Sequence, residues 1–363
     1  MRFSLKSISL RILWYINLFF VVLLVLTYTA AYISPATLSL PAFLALGYPF
    51  LLLINLFWMG FWLYRKSRAV YASFWAIFIG CLNIPYVFGF GGGGTVGADA
   101  LRVMSYNVRY FNVTESKKVE TWLSNQDKIL NYIASEKPTI LFGQEFSGRG
   151  KASTERATEK LANMGLPHHH QGTGSSLAIY SRYPLSNKGS INFEESFNGA
   201  IHADLTLPNG ELIRVYSVHL QSTRLGKDVK EVLKKDNLTT INKKETQEKY
   251  YRIESKLSSA FAMRAAQAEV VAAHIAQSPH PVIVCGDFND TPLSYSYRIM
   301  ARKLKDSFAE KGFGIGSTYA GSLPALRIDY ILVGKKFEVY THKVQNKAIS
   351  DHYAICSDIG FKP

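Results

Sequence analysis

The chain opens with three long apolar stretches and continues with many short ones. Residues 12–33, 40–64 and 69–90 contain no charged side chain. Each has the roughly 20 residues needed to cross a hydrocarbon core as a helix. Trp14, Tyr15, Trp58, Trp62, Tyr64 and Tyr86 lie near the segment ends, where amphipathic rings favour the membrane–water boundary. A signal peptide has one short apolar region and a small-residue cleavage site, and three long segments do not fit it. Pro35 and Pro41 bracket a tight first loop, and Pro85 bends or ends the third segment. Gly91–Gly94 then reads as a flexible tether.

Beyond the glycines the pattern changes to short apolar runs that end in polar residues. Leu101–Asn107, Thr139–Glu145, Leu177–Ser181 and Val282–Asp287 read as buried strands. Ala200–Leu207 and Glu211–Leu220 flank Pro208-Asn209-Gly210, a strong hairpin signal. Arg327–Val333 reads as a strand with Asp329 embedded in it, and Ser350–Ile355 opens a last strand. A 3.6-residue period in Val119, Trp122, Leu123, Ile129, Leu130 and Ile133 predicts a helix over 119–134, ended by Lys137-Pro138. Further helices are expected over 155–164, 259–276 and 295–304. Residues 223–258 break the pattern. They are rich in Lys, Glu, Asp and Asn and read as a charged insertion, either inert or acting as an arm over the substrate. These segments divide the chain into a membrane part (1–90), a linker (91–98) and one large domain (99–363).

Charge sharpens that division. Residues 1–98 hold no acidic residue and six basic ones, so the net +14 splits into +6 and +8. A domain at +8 favours anionic partners without selecting one. Cys81, Cys285 and Cys356 are too few and too far apart for a disulfide framework or a zinc pattern, and read as small buried apolar side chains. His168-His169-His170 looks like a metal cluster, but neighbours on a strand point to opposite faces and seldom share an ion.

The chemistry lies at the strand ends: Asn107, Glu145, His219, Asp287, Asn289, Asp351 and His352, with Asp329 nearby. Asp287 and Asn289 stand two apart after the glycine of Cys285-Gly286-Asp287. A carboxylate there can orient or deprotonate water, and an amide can donate to a phosphoryl oxygen. Carboxylate and amide oxygens suit Mg²⁺ or Mn²⁺. The sequence has no Walker loop and no Gly-x-Ser-x-Gly elbow.

Met104-Ser105-Tyr106-Asn107, Gln144-Glu145, Ala178-Ile179-Tyr180-Ser181, His219-Leu220, Gly286-Asp287-Phe288-Asn289-Asp290, Arg327-Ile328-Asp329-Tyr330 and Ser350-Asp351-His352 together resemble the endonuclease/exonuclease/phosphatase superfamily, the metal-dependent phosphoesterases built like DNase I. The motifs fall in the family's order across roughly 101–361. The resemblance implies an α+β fold, a four-layer sandwich of two packed mixed sheets flanked by helices; it does not cover the membrane part, where the apolar segments are expected to form three preceding transmembrane helices. It implies Glu145 as the principal metal ligand with Asn107 and Asp351 nearby, and Asp287 as the group acting on water. It further implies Asn289 on a phosphoryl oxygen, His352 stabilising charge or moving a proton with Asp329 fixing its tautomer, and His219 on the phosphate from the other side. Asn107, His219 and Asn289 would touch substrate. The expected activity is metal-dependent phosphodiester hydrolysis, with nucleic acid, a lipid headgroup or a small phosphoester as substrate. A non-catalytic binding module is the competing reading, and the intact carboxylates and histidines argue against it. A transporter is weaker still, because the apolar segments carry no ionisable site.

Arg2, Lys6 and Arg11 precede the first segment, Arg65, Lys66 and Arg68 separate the second from the third, and residues 34–39 carry no charge. Positive residues stay cytoplasmic. The N-terminus is therefore expected inside and the C-terminal domain on the extracytoplasmic side, periplasmic or outer. A reporter enzyme active only in the cytoplasm, fused after Pro363, is expected to stay silent; an active fusion overturns this orientation.

Overall fold

The computed structural model describes residues 5–97, 99–115, 119–148, 150–194, 196–223, 243–321 and 326–362. The apolar segments form a small helical bundle. Helix α1 (Leu5–Thr29) is continuous, while α2 (Leu40–Leu46) and α3 (Tyr48–Tyr64) meet at a 71° bend. Helix α4 (Val70–Ile79) is followed by a bent pair of short turns ending in α5 (Ile84–Val87), 48° off its axis. By length and composition one helix can cross a membrane, and up to three segments can if each bent pair counts as one. Ten residues of α4 span only about 15 Å. Proline in the first turn of α3 and of α5 starts each helix anew after its break. Three polar residues with no exposed surface tie the bundle together. Asn17 Nδ2 donates to Ser73 Oγ (2.8 Å), Trp62 Nε1 donates to Asn17 Oδ1 (2.9 Å), and Asn55 Nδ2 reaches the Phe20 carbonyl (3.1 Å). Such bonds choose which helices are neighbours, because apolar side chains alone pack with little preference among partners.

After a two-residue strand β1 (Gly89–Phe90), the domain builds two six-stranded sheets. Their strands and helices in chain order are β2 (Leu101–Asn107), α6 (Val119–Glu136), β3 (Ile140–Gln144), α7 (Lys151–Asn163), β4 (His168–Gln171), β5 (Ala178–Ser181), β6 (Leu185–Asn192), β7 (Gly199–Thr206), β8 (Leu212–His219), α8 (Lys243–Ala276), β9 (Val282–Asp287), α9 (Tyr295–Ala301), β10 (Leu304–Asp306), α10 (Ser307–Lys311), β11 (Phe313–Gly314), β12 (Asp329–Gly334), β13 (Phe337–Val344) and β14 (Ile355–Phe361). One sheet runs β13-β14-β2-β3-β5-β4 and the other β10-β12-β9-β8-β7-β6. Each has one parallel pair, β2–β3 and β8–β9, among antiparallel neighbours.

The continuous apolar runs have a simple cause, since both faces of these strands are covered. Val103, Ile140, Phe142, Val215, Ile283, Cys285, Ile331 and Val333 fill the layer between the sheets. Their neighbours in sequence face outward. Met104 and Leu141 pack under α6 and α7, and Tyr216, Val284 and Leu332 pack under α8 and α9. A period of two within an unbroken apolar run therefore yields four layers, the α+β sandwich expected from the motifs.

Several boundaries differ from the sequence reading. Helix α8 starts at Lys243, well inside the charged stretch, so the lower half of that insertion is regular helix; residues 224–242 lie outside those described. Strands β6 and β13 carry no long apolar run because they are outer strands, β6 largely exposed and β13 only partly covered. Asp329 opens β12 rather than lying within it. Cys81 is exposed, whereas Cys285 and Cys356 are buried. The glycine run is laid along the domain, with the Gly91 and Gly94 amides donating to the Gly312 and Tyr340 carbonyls.

One glycine is required by close packing. Gly286 has φ 148° and sits beside Val218 in the parallel β8–β9 pair, where a Cβ would fall on the Val218 carbonyl. Gly286→Ala is expected to cost about 3 kcal/mol through backbone strain and overpacking, read as a lowered unfolding midpoint. Gly210→Asn, in an open hairpin turn at φ 85°, is expected to leave the midpoint almost unchanged, because Asn tolerates that conformation.

Candidate active site

All eight polar residues singled out from the sequence meet at one end of the sandwich. The register explains why. His219, Asp287 and Asp329 are direct neighbours across β8, β9 and β12. On the facing sheet Asn107 is level with Gln144 across β2 and β3, which places Glu145 one residue further on. The sheets are tied together just beneath, where Gln144 Nε2 donates to Ser217 Oγ (3.3 Å).

Asp287 is the hub. It is 1% exposed. Its Oδ2 accepts from Asn107 Nδ2 (3.0 Å) and lies 3.6 Å from His219 Nε2 and 3.7 Å from His352 Nε2. Its Oδ1 accepts the Asn289 amide (2.8 Å). Burial, then the charge of Asp329, pushes its carboxyl above the ordinary range. Burial works against charge on His352, but Asp329 and Asp287 more than reverse this and hold the ring well above the usual imidazole range. His352 Nδ1 and Asp329 Oδ2 are 2.9 Å apart, so Nδ1 carries a proton toward the carboxylate and Nε2 faces Asp287. Asn289 gives one amide hydrogen to the Leu220 carbonyl (3.0 Å) and keeps the other.

Glu145 faces these groups from the other sheet, its Oε1 4.0 Å from His219 Nε2. Burial, which outweighs His352, raises its carboxyl, Asp351 adds to the rise, and the Asn107 amide opposes it. Its backbone is left-handed (φ 50°), as are Arg109, Tyr110, Phe111 and Asn112 (φ 47–54°). Each such non-glycine residue costs about 1 kcal/mol or more. The two strained segments brace one another. The Tyr110 amide donates to the Glu145 carbonyl (2.9 Å), Phe111 packs edge-on against Phe146 at 4.9 Å, and Asn112 Nδ2 donates to the Ile349 carbonyl (2.6 Å).

Two groups of ligands could hold a cation. Asp287, Asp329 and His352 place ligand atoms within 4.8 Å of one another. Their atoms are already spent on each other, because the Asp329–His352 bond occupies Nδ1. Glu145, Asp351 and Asn107 Oδ1, which accepts the Arg109 amide (3.0 Å), form the alternative. They are oxygen donors with closely spaced negative charge, as a hard divalent cation requires. The histidine run does not join either group. His168–His170 lie on the outer strand β4, where His170 Nε2 contacts the Gly189 carbonyl at 3.0 Å and His169 stacks on Tyr180.

Four further residues shape the site. Arg109 Nε lies 3.3 Å from Asp351 Oδ2, and Ser350 Oγ donates to the Asn107 carbonyl (2.9 Å). Thr318 Oγ1 accepts from the Ile328 and Asp329 amides, and Tyr319 bridges His352 and meets its ring edge-on at 5.5 Å. Ser350 opens the Ser350-Asp351-His352 motif, whereas the only mark of Arg109 in the sequence is that it stands two residues after Asn107. Thr318 and Tyr319 lie in a loop without any.

The profile of the Endonuclease/Exonuclease/phosphatase family matches residues 104–352. The chain belongs to the endonuclease/exonuclease/phosphatase family. With that family it is a phosphoester hydrolase, and all the residues of the cleft fall inside the matched range. A second profile, a domain of unknown function, matches residues 10–86. No curated protein matches the chain. Solved structures share the fold. An endonuclease/exonuclease/phosphatase family protein from Bacteroides thetaiotaomicron superposes with a TM-score of 0.53 at 17% identity, covering 73% of this chain and 98% of its own. The catalytic domain of human nocturnin, with a bound sulfate anion, gives 0.51 at 18%, covering 74% and 97%. A mannosyl-6-phosphatase from Bacteroides thetaiotaomicron gives 0.51 at 17%, covering 72% and 100%.

Asp329→Asn removes a negative charge that keeps His352 protonated. The ring's pKa is then expected to fall, so the alkaline limb of the pH–rate profile moves to lower pH, with a loss of about 10²-fold in rate at neutral pH. An unmoved alkaline limb would show that the charge of His352 does not matter.

Proposed function

We propose that the chain is a membrane-anchored, divalent-metal-dependent phosphoesterase that cleaves phosphodiester bonds by attack of water. The observation that carries this is the placement of a buried carboxylate, Asp287, against two imidazoles and an amide at the converging strand ends. Such an arrangement fits handling of a water and a negatively charged phosphate together. A metal-binding but inactive module would not need the Asp329–His352 pair.

Glu145, Asn107 and Asp351 would hold Mg²⁺ or Mn²⁺. A cation there would neutralise the phosphate and polarise the bond from phosphorus to oxygen. Asp287, with its proton affinity raised by burial, orients the water and takes one of its protons. The oxygen of water bonds to phosphorus, the bond to the departing alcohol breaks, and the departing oxygen takes up a proton. Asp287 then returns its own to solvent. His352, held charged by Asp329, and His219 face the phosphoryl oxygens as charge builds on them. The free amide hydrogen of Asn289 donates to one of those oxygens. A monoester headgroup or small-molecule phosphate would use the same groups.

The membrane anchor is the bundle of α1 to α5. Its outward face carries Ile12, Tyr15, Phe19, Leu53, Phe57, Trp75 and Phe78, all exposed, while its polar residues turn inward. That is the arrangement expected of helices solvated by lipid. With the N-terminus cytoplasmic, the domain stands on the extracytoplasmic side.

The full chain in detergent with Mg²⁺ or Mn²⁺ is expected to hydrolyse bis-p-nitrophenyl phosphate. Chelator should abolish this, and Asp287→Asn should lower kcat by about 10³-fold. Glu145→Gln should raise the metal concentration needed for half-maximal rate by about tenfold or more. Undiminished turnover in chelator, or in folded Asp287→Asn protein, would refute the mechanism.

A further inference from the structure

The catalytic domain is seated on the bundle. Leu293 is buried in one cluster with Leu24, Ala45, Tyr48 and Leu51 of the helices. Phe43 of α2 meets Phe261 of α8 edge-on at 5.3 Å, and the Arg298 guanidinium lies 3.9 Å over the Tyr32 ring. Arg327, 4% exposed, donates through Nη2 both to the Tyr86 carbonyl at the end of the bundle and to Asp306, each at 2.7 Å.

Besides these contacts from α8 and α9, two loops reach the seam, and the same two loops supply residues to the candidate site. The first leaves β9 at Asp287, supplies Asn289, and reaches the bundle at Leu293. The second joins β11 to β12. Its Thr318 and Tyr319 hold Asp329 and His352, while Ile315, Leu326 and Arg327 share a small apolar pocket with Ala45, Tyr48 and Val87 of the bundle. The cleft therefore lies at the bundle's end of the domain.

A ribbon beside the seam marks the level of the bilayer. Strand β1 follows α5 after a single residue and pairs with β11, with Phe90 opposite Phe313. The fit is close, since a Cβ at Gly89 or Gly91 would strike the backbone of Gly312 or Lys311. Phe90 is 73% exposed and Phe313 84%, and Phe88 and Ile315 beside them are also exposed. Water is a poor environment for four large apolar side chains in one small ribbon. The ribbon continues directly from the third apolar segment, and aromatic side chains are at home in the headgroup zone there.

We infer that the Phe88–Phe90–Phe313–Ile315 ribbon is embedded in the bilayer interface and holds the cleft at headgroup level, so that the phosphate ester it hydrolyses belongs to a lipid of that bilayer. This rests on the phosphoesterase and membrane-anchor readings proposed above. A phosphate at headgroup depth reaches a cleft held there, whereas a nucleic acid in solution gains nothing from an apolar ribbon beside the site.

The test uses the full chain in vesicles of phosphatidylcholine, phosphatidylglycerol and phosphatidic acid, with bis-p-nitrophenyl phosphate and plasmid DNA offered separately. Release of a water-soluble headgroup or inorganic phosphate from the vesicles is expected. Phe90→Ser combined with Phe313→Ser should slow that release by about tenfold, through lost apolar burial, and leave the soluble diester rate unchanged. Cleavage of the soluble diester or DNA with the lipids intact overturns the inference and spares the phosphoesterase reading. Equal lipid cleavage by wild type and double variant also overturns it. Silence on every substrate refutes both. A spin label at Phe313→Cys in a Cys81→Ala background reads the seating without catalysis. Relaxation by oxygen, with protection from a water-soluble nickel chelate, is expected; the reverse overturns the inference.

Discussion

A carboxylate taken out of water must be surrounded by donors or it will not stay ionised. Asp287 at the end of β9 is such a group, and the organisation of the domain follows from satisfying it. Asn107 comes from the other sheet, His219 from the neighbouring parallel strand, His352 from the last loop, and the Asn289 amide from the turn just beyond. Only two sheets packed face to face with their strand ends aligned bring donors from so many places to one atom pair. Gly286, which lets β9 run hard against Val218, is part of the same constraint.

Holding these groups requires strain elsewhere. Glu145, Arg109, Tyr110 and Phe111 adopt left-handed backbone that no local preference explains, followed by Asn112, a residue type that tolerates it. The opposing segments hold each other through Tyr110 and Phe111, and Asn112 is tied to the Ile349 carbonyl, so the cost is carried by packing on Phe146 and by hydrogen bonds. The result is that Glu145 is fixed beside Asn107 and Asp351. Loops that supply the site also rest on the helical bundle, so the apolar N-terminal part and the chemistry are mechanically joined through Arg327, Leu293 and Tyr319.

Buried polar residues do different work in the two halves of the molecule. In the bundle, Asn17, Asn55 and Ser73 fix which helices are neighbours. In the domain, Arg327 and Asp306 form a fully buried pair whose main contribution is placement, since such pairs seldom add much net stability. Arg327 lies between the rings of Phe308 and Tyr330 and bridges from them to the backbone of Tyr86.

The sequence by itself determined a good deal. Uncharged stretches of membrane length, alternating short apolar runs and their polar terminators are all local patterns, and they marked the bundle, most core strands, the α+β class and all eight polar residues of the cleft. What they could not mark has a common physical reason. Strands β6 and β13 are outer strands with little apolar signal. The bends at Gly47 and Gly80 depend on how helices pack. Arg109, Thr318 and Tyr319 act through partners distant in sequence, and an Arg or a Tyr in a loop looks like any other. The glycine run reads as free linker because glycine is silent about its neighbours, yet β1 and Gly91 are fastened to the Gly312–Gly314 backbone. Local periodicity decided which residues face inward. Tertiary structure alone decided that the strand ends converge, that Asp287 becomes their common partner, and that the cleft rests on the helices that precede it, because each of these is a contact between segments far apart in the chain.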